Sequence, residues 1–540
     1  APTFCPECRM QRRFSYRNER ALYKRNCSLC GKSMIGAYPA KTKFPVYCFE
    51  CWWSDKWDSI DYSKDYDLAK PFFLQWKELQ DKVPRPYINN TVGPAMINSE
   101  YTNCAGEMKN CYLVYGAQRD EDCAYSHYLN ESRYCFDNLY SIKNENCYEC
   151  VDIENCYNLQ YSESCLNCLD SYFLFDCRNC NNCIGCVGLR NAQYHILNQP
   201  YSKNDYLKAK EDLTLDTRSG ITSFREKYKS IYYSSPRKYY HGQMNNNFSG
   251  DYIANTENTH QSFYIKNARG CKFIFWCNNA QDVYDYMSWG DIEFSYECVS
   301  VGYKSYHCLF SDASWADDKN LEYCSLCFSS SDLFGCIGMR KKQYCILNKQ
   351  YSKEEYEILR ENIIKDMTIN PYRDTRGVSY SYGEFFPIEF SPFLYKDTAA
   401  HEHFPLADEQ IKGNGFRWEE AESRNYKITI SAENLPDSIQ EVKDNILQEV
   451  IGCAHSAKCN HQCTEAFKIT NAELQFYRRM KIPLPQICYN CRHAERVKLR
   501  NPLRLWNRTC TKCGKEIKTS YALDRKEMVY CEQCYNIEVA

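Results

Sequence analysis

The chain has 540 residues, 36 cysteines and a net charge of −2, and it has no apolar run long enough to span a membrane. This length exceeds what one hydrophobic core usually holds, so the sequence predicts several domains. So many cysteines in a long chain, often in C-x2-C pairs, favour metal ligation and reduced thiols over a secreted disulfide framework. We therefore expect a cytoplasmic protein with no membrane partner.

The charge is segregated along the chain. Residues 1–51 carry a net +7 and residues 478–526 a net +11, which leaves −20 for the rest of a chain of net −2. A polyanionic partner would therefore contact the two ends. A zinc ion held by four thiolates is itself net −2, which lowers the local positive charge.

A six-cysteine module opens the chain and recurs at its end with identical spacing: C-x2-C, eighteen residues, C-x2-C, seventeen residues, C-x2-C. Two thiolates of a C-x2-C pair bind one face of a tetrahedral Zn²⁺, and a second pair closes the other face. The cysteines are Cys5, Cys8, Cys27, Cys30, Cys48 and Cys51 in the first copy, and Cys488, Cys491, Cys510, Cys513, Cys531 and Cys534 in the second.

The last four cysteines of each copy predict a self-contained zinc ribbon, which we favour over a redox or disulfide role. Cys488 and Cys491 need partners from upstream, and Cys459 with Cys463 form the natural second pair. The substitutes are Cys453, His455 and His461. Cys5 and Cys8 have no cysteine before them, so either a distant residue completes their site or the protein begins earlier than this chain; we favour the second alternative.

The region before the last module resembles a known family. Its residues Cys459 to Cys463, Ala472–Arg479, Pro483-Leu-Pro485 and Cys488-Tyr-Asn-Cys491-Arg492 are similar to a small family of probable-zinc-ribbon domains, which end in a proline followed by Cys-x2-Cys-Arg. The stretch from Pro2 to Arg9 looks like the tail of the same unit, which implies a missing upstream half.

Most of the length also resembles a group of uncharacterised, cysteine-rich bacterial proteins. The shared signatures are Arg-Asn-Glu-Arg at 17–20, Trp-Trp-Ser-Asp-Lys-Trp at 52–57 and Tyr-Ser-Lys. This resemblance implies zinc binding and a shared architecture, without a function.

Two related cysteine-rich regions lie between the modules. Eight of the cysteines in the first region step by 12, 12, 12, 9, 9, 12 and 9 residues: those at positions 111, 123, 135, 147, 156, 165, 177 and 186. Steps that are multiples of three, with Asn and Ser between them, predict a parallel β-solenoid whose coils stack like on like. The second region is less regular, but residues 336–353 repeat residues 186–203, which predicts the same architecture.

Two further patterns have alternative interpretations. Cys177, Cys180, Cys183 and Cys186 have a spacing close to that of iron–sulfur proteins, but the related half has Ser330 and Leu333 at two of these positions, so we favour a stacked core. The sequence His401-Glu-His403 could hold a metal, and we favour a surface or core pair.

The expected fold is multidomain and mainly β, with two parallel β-solenoid-like Cys-rich repeats flanked by duplicated zinc-ribbon modules and joined by short helices. Capping residues predict helices over about 202–213 and 352–367, Pro71 begins a third, and a fourth is expected after Pro436. Residues 84–98 are rich in Pro and Asn and are predicted to be extended. The predicted domains are 1–58 (N-terminal ribbon module), 59–97 (helical connector), 98–190 (first repeat), 191–248 (helix and linker), 249–340 (second repeat), 341–450 (helix and mixed connector) and 451–540 (C-terminal tandem ribbon module).

Arginines recur at helical spacing after the first cysteine pair of each module, and they are interleaved with aromatic residues. Arginine binds phosphate through two donors and aromatic rings stack on bases, so the stripe predicts nucleic-acid binding, with RNA favoured. The alternatives are a solvated helix face and arginines bonded to the protein's own carbonyls. The candidate residues are Arg9, Arg13, Arg17, Arg492, Arg496, Arg500, Arg504 and Arg508.

The sequence therefore predicts a Zn²⁺-binding protein that binds RNA through basic ends on a β-solenoid. The alternative is a structural or protein-interaction scaffold with purely structural zinc, and a carbohydrate-active enzyme is third. No Gly-rich phosphate loop, nucleophile elbow or H-E-x-x-H helix occurs in the sequence, which favours a non-enzyme.

Overall fold

The computed structural model describes residues 2–89, 96–420 and 425–539. It is mainly β, with several sheets and short helices. The α-helices among the described residues are α1 (Pro6–Phe14), α2 (Phe49–Trp52), α3 (Phe72–Gln80), α4 (Lys203–Asp212), α5 (Arg218–Ser234), α6 (Lys353–Ile369), α7 (Ala399–His403), α8 (Asp408–Gly413), α9 (Asn471–Met480), α10 (Tyr489–Lys498) and α11 (Glu532–Val539).

Two regions consist of strands that run parallel to their neighbours, except for an antiparallel last strand in each. We name them the first stack (residues 96–200) and the second stack (residues 242–350). Leu139 pairs with His127 on one side and with Val151 on the other, so neighbouring strands lie twelve residues apart. Isolated parallel bridges such as Glu163 to Phe175 keep the same offset. The backbone therefore returns to an equivalent position every twelve residues.

The strands of the stacks are short, apart from three longer ones in the second stack. Those of the first stack are Met96–Ile97, Thr102–Asn103, Met108–Lys109, Val114–Tyr115, His127–Asn130, Leu139–Ile142, Val151–Glu154, Tyr157–Gln160, Leu169–Tyr172, Asn181–Ile184, Gln193–Ile196 and Gln199–Pro200. The nine-stranded sheet of the second stack contains Gly242–Arg269, Lys272–Gln281, Tyr284–Glu293, Tyr296–Val299, Ser305–Leu309, Lys319–Glu322, Ser331–Phe334, Gln343–Ile346 and Lys349–Gln350.

Left-handed backbone recurs at every third residue through most of both stacks. Asn146, Glu149, Asp152 and Asn155 have φ of 54°, 47°, 54° and 53°, which gives one twelve-residue step four corners. Among residues with a Cβ, Asn and Asp enter this conformation most readily, which explains their frequency there. At exposed corners, Asn side chains also form ladders of hydrogen bonds. For example, the side-chain amide of Asn167 donates to the side-chain oxygen of Asn179.

The residue after each corner points inward. Cys147, Cys150, Ile153 and Cys156 are all buried, as the sequence predicts for the repeat cysteines. A thiol suits this interior because it is small and also a weak donor. The Sγ of Cys150 donates to the carbonyls of Tyr148 and Leu159, at 3.4 and 3.6 Å, and so partly satisfies groups that face inward.

The second stack follows the same rule with two single-residue insertions. Ile292 pairs with Ser305 and Cys308 with Leu321, an offset of thirteen residues, whereas Lys319 returns to an offset of twelve. The insertions coincide with consecutive left-handed residues at 303–304 and 316–317. Each insertion shifts the phase of the inward positions by one, which is why the cysteine spacing looks irregular in the sequence.

The connecting helices largely agree with their prediction. The helices α4 and α6 begin after Ser202 and Ser352, whose hydroxyls accept from the backbone N–H groups three residues later. The helix α3 buries Trp76 against the second stack, where its Nε1 donates to the carbonyl of Tyr323 at 3.0 Å. The helix predicted after Pro436 takes the form of two short 3-10 helices, Ile439–Glu441 and Asp444–Gln448. The predicted extended segment 84–98 lies partly outside the described residues.

Each terminal module packs on the stack that is farther away in sequence. Phe14 of α1 contacts Phe275 of the second stack, with ring centres 5.2 Å apart. Phe476 of α9 stacks on Phe136 of the first stack at 4.0 Å. The N-terminal module therefore contacts the second stack and the C-terminal module contacts the first. None of the described helices is long and apolar enough to cross a membrane.

The buried thiols lead to a labelling prediction. In native buffer, iodoacetamide should modify Cys5 and Cys8, which are exposed, and leave the cysteines of both stacks unmodified until denaturant is added. Peptide mass spectrometry reads each site separately, so the exposed pair is an internal control. Disulfides between stack cysteines, or their rapid native labelling, would contradict the packing.

Candidate metal centres

The N-terminal ribbon assembles its four predicted cysteines. Cys27 and Cys30 lie in the turn of the antiparallel hairpin Tyr23–Asn26 and Ser33–Gly36, and Cys48 caps α2, which contains Cys51. The four sulfurs lie within 4.8 Å of one another. Folding thus brings two pairs that are seventeen residues apart into one ligand set.

The C-terminal ribbon repeats this arrangement. The strands Trp506–Thr509 and Glu516–Thr519 form the equivalent hairpin, and Val529–Tyr530 leads into α11. Cys510, Cys513, Cys531 and Cys534 form a second set of four sulfurs within 4.8 Å. The strand Val529–Tyr530 also pairs with a distant segment, Arg237–Lys238, just as Val46–Tyr47 of the N-terminal ribbon pairs with Arg85–Pro86.

The sulfur separations fit a tetrahedral metal site. Cys30 and Cys48 are 3.8 Å apart, as are Cys513 and Cys531. A tetrahedron with Zn–S bonds of about 2.3 Å has edges of about 3.8 Å, whereas a disulfide requires about 2.05 Å. These residues can therefore hold Zn²⁺ without rearranging.

Backbone amides prepare one thiol of each ribbon for metal binding. Burial raises the pKa of Cys27, but the N–H groups of Cys30, Cys48 and Leu29 outweigh it and lower the pKa to about 6. The same opposition of burial and backbone N–H groups lowers the pKa of Cys510 to about 6. Since the thiolate is the ligand, both sites favour metal over protons at neutral pH.

A third set of four forms around Cys488 and Cys491 at the start of α10. Its other members are Cys453 and Cys463, with Sγ–Sγ distances of 3.9 Å from Cys453 to Cys491 and from Cys463 to Cys488. The structure places Cys453, the substitute named from the sequence, beside Cys463 in this set, because the loop folds back at that residue. Cys459 joins a separate group with His455 and His461.

Cys5 and Cys8 occupy the equivalent position at the start of α1 but have no such partners. Both are exposed, and the backbone N–H of Cys8 donates to the Sγ of Cys5 at 3.4 Å. In the part of the chain that the structure describes, neither belongs to a group of three or more metal-ligating side chains. The repeat run Cys177 to Cys186 likewise forms no such group among the described residues, so the iron–sulfur alternative gains no support.

A buried histidine cluster escaped the sequence analysis. His127, Glu402 and His493 come from the first stack, α7 and α10, and their ligand atoms lie within 4.8 Å of one another. The Nε2 of His493 lies 2.9 Å from Glu402, and the Nε2 of His127 lies 2.7 Å from Glu19. Within the predicted metal-binding sequence His401-Glu-His403, it is Glu402 that belongs to this cluster. No spacing rule links residues 127, 402 and 493, so only the fold reveals it.

The C-terminal arginine stripe does not face solvent, as the predicted nucleic-acid contact requires, because Arg492, Arg496 and Arg500 are buried. Arg492 and Arg496 are buried, and both donate to one carboxylate oxygen of Asp137 in the first stack, at 2.9 and 2.8 Å. Arg500 lies over the rings of Tyr140 and Tyr264, each at 3.7 Å. The aromatic rings and carboxylates that these arginines contact belong to the two stacks, so the arginines have no free face for a ligand.

The N-terminal stripe makes the equivalent contacts in the second stack. Arg9 and Arg13 pair with Asp285 at 2.8 and 3.0 Å, and Arg13 also pairs with Glu297 at 3.1 Å. Arg17 is buried as well and pairs with Glu19. Burial raises the pKa of Glu19, but the charges of Arg17 and His127 outweigh it and lower the pKa to about 2.

The last two candidate arginines differ from the stripe. Arg508 donates to the carbonyls of Ala522 and Glu527 within its own ribbon, at 3.1 and 3.4 Å, as the carbonyl alternative predicts. Arg504 is the most exposed of the eight, with 62% of its side chain accessible. One exposed guanidinium is a much smaller basic surface than the predicted stripe of eight.

Taken together, the described site residues can bind metal ions and join the modules to the stacks. A scan against protein-family models finds no match to this chain, and a search of curated proteins finds no match either.

Loss of one zinc ligand should unfold one ribbon. Cys510→Ser should reduce the zinc content by one per chain and make residues 506–539 sensitive to protease, because so small a ribbon depends on its metal to fold. Elemental analysis with limited proteolysis measures both effects. Cys8→Ser is the matched control and should keep the zinc content of the wild type. Full zinc in the Cys510 variant would contradict the assignment.

Removal of Asp137 should destabilise the protein strongly. Asp137→Ala leaves the buried guanidinium of Arg496 without a carboxylate and Arg492 with only Glu473, at 3.6 Å, which costs about 3–5 kcal/mol. Asp285→Ala should cost less, because Glu297 still pairs with Arg9 and Arg13. Thermal unfolding compares these variants with Glu131→Ala, which breaks surface pairs with Arg119 and Lys143. Equal small losses for all three variants would contradict this description of the interface.

Proposed function

We propose that this protein is a zinc-dependent scaffold, made of two parallel β-solenoids that terminal zinc-binding modules hold together. The observation that carries the proposal is the burial of both arginine stripes against carboxylates of the stacks. Arginines used in this way are unavailable to phosphate. The repeat of twelve residues with four left-handed corners supports a solenoid, because each coil then stacks its inward side chains on those of the next.

Zinc is proposed to act by orienting these contacts. The helix α10 begins at the metal-ligating pair Cys488 and Cys491, and the next residue is Arg492. A metal that fixes the first turn of α10 therefore also fixes the arginines that reach Asp137. Without the metal, α10 loses its anchor and the buried ion pairs lose their geometry.

The N-terminal ribbon makes a second contact of the same kind. The guanidinium of Arg340, in the second stack, lies 4.5–4.7 Å from the ring centres of Trp52, Trp53 and Trp57, which follow the last zinc ligand. In the C-terminal copy, Arg190 of the first stack donates to the hydroxyl of Tyr535 at 3.1 Å. Both ribbons thus hold an arginine near the end of a stack.

A protein partner fits the outer surface better than a nucleic acid does. Phe294 and Tyr306 are 42% and 45% exposed on neighbouring turns of the second stack, with ring centres 5.4 Å apart. Exposed aromatic residues are typical of protein interfaces. They lie in the acidic middle of the chain, which repels phosphate. The proposal keeps the cytoplasm as the location, since thiols stay reduced there.

The carbohydrate-active alternative does not enter this proposal. Asp152 and Glu163 are partly buried carboxylates that resemble an acid–base pair, since desolvation raises their pKa to about 6 and about 7. The cavity that they line measures about 10 Å³. That volume holds about one water molecule and no sugar ring.

Zinc removal and RNA titration together test the scaffold. The wild-type chain should contain at least three zinc ions, one for each separate set of four cysteines. Chelation should expose the modules to protease, and a mixed RNA pool should show no salt-dependent binding. One zinc or fewer per chain would overturn the metal proposal. RNA affinity that falls steeply between 50 and 200 mM salt would instead restore the nucleic-acid function.

A further inference from the structure

The loop that completes the third cysteine set carries more ligands than one zinc needs. Residues 453–463 contain Cys453, His455, Cys459, His461 and Cys463 in eleven positions. Cys453 and Cys463 face Cys488 and Cys491, as described above. The three residues between them form a second group of four with Cys491. Cys491 is thus common to both groups.

The count of donors matches a specific arrangement. Two separate tetrahedral ions need eight ligands, and two ions that share one thiolate need seven. The two groups together contain seven side chains: Cys453, Cys463, Cys488, Cys491, His455, Cys459 and His461. Zinc is commonly four-coordinate with Cys and His ligands, so each group alone is a complete set.

The distances support a shared sulfur. The Sγ of Cys491 lies 3.9 Å from that of Cys453 in the first group and 3.7 Å from that of Cys459 in the second. Both values match the tetrahedral edge of about 3.8 Å for Zn–S bonds of about 2.3 Å. Cys491 therefore has the separation of a zinc ligand toward both groups.

The imidazoles of the second group also lack protein partners. The Nδ1 atoms of His455 and His461 are buried, and neither has a hydrogen-bond partner among the described residues. A buried polar atom without a partner is costly, so it points to a ligand that the protein chain does not supply. The two rings lie 5.5 Å apart at their centres, side by side in the same loop.

We propose that this loop and α10 bind two zinc ions bridged by the thiolate of Cys491. The first ion has four sulfur ligands, and the second has His455, Cys459, His461 and the shared sulfur. This inference rests on the proposed zinc-binding function and extends it from three ions to four. Five thiolates and two neutral imidazoles around two Zn²⁺ ions give a net charge of −1, less negative than the −2 of an isolated four-thiolate site.

The two ions should differ in stability. Apart from the shared Cys491, the first set has two buried ligands, Cys453 and Cys488, and one partly buried ligand, Cys463. The other three ligands of the second set, His455, Cys459 and His461, are all only partly buried. The second ion lies nearer solvent and should leave first when a chelator is added. The first ion stays with α10 and its contact with Asp137. Partial chelation should therefore release one zinc before the module becomes sensitive to protease.

Zinc counting on the full chain tests the proposal. Wild-type protein should contain four zinc ions, and the double variant His455→Ala/His461→Ala should contain three. The matched control His260→Ala/His307→Ala changes two histidines outside these groups and should keep four. If the alanine variant fails to fold, as judged by circular dichroism, His455→Gln/His461→Gln replaces it.

Cadmium substitution provides a readout that needs no variant. In the full chain loaded with ¹¹³Cd, two resonances should be split by coupling through the shared sulfur, and the ribbon resonances should be unsplit. Three metal ions with no splitting would overturn the bridged centre and leave the scaffold intact. One ion or none would overturn the scaffold itself, so the two failures are distinguishable.

Discussion

A buried guanidinium is stable only when a carboxylate or ring is held beside it, and the rest of this structure depends on that requirement. Arg492 and Arg496 meet Asp137, and Arg9 and Arg13 meet Asp285. Removal of Asp137 leaves the buried Arg496 without a carboxylate, whereas Glu297 still pairs with Arg9 and Arg13 when Asp285 is removed. The pairs therefore fix where each terminal module lies, and the metal sites at the starts of the helices fix how the arginines are presented.

The two interfaces are copies of one design. Arg492 is 483 residues after Arg9, and Asp285 is 148 residues after Asp137. The cation–π contacts follow the same shifts, since Arg9 lies over Phe273 and Arg492 over Tyr125. Because each module contacts the distant stack, the chain crosses itself and both stacks are held in one body. The segregated charge has the same explanation: basic ends neutralise an acidic middle.

Much of the local structure could be predicted from the sequence. The ribbon cysteines are close in sequence and their spacing has one physical use, so Cys27 to Cys51 and Cys510 to Cys534 form the expected sets. Cysteine steps that are multiples of three reveal the inward positions of the first stack. The same signal fails in the second stack, because two inserted residues shift its phase twice while the backbone keeps its path.

The long-range contacts could not be predicted in this way. A helical stripe of arginines indicates that one face is basic, but it does not say whether water, phosphate or a carboxylate covers that face. Asp137 lies 355 residues before Arg492 and resembles many other acids of the chain. His127 and His493 meet for the same reason, through folding alone. The choice of Cys453 over Cys459 depended on how one loop turns back toward α10.

A double-mutant cycle between Arg496 and Asp137, with each residue replaced by alanine singly and together, measures the central contact directly by denaturant unfolding. The account predicts a coupling free energy of about 2–3 kcal/mol, and losses that add to within about 0.5 kcal/mol would contradict it.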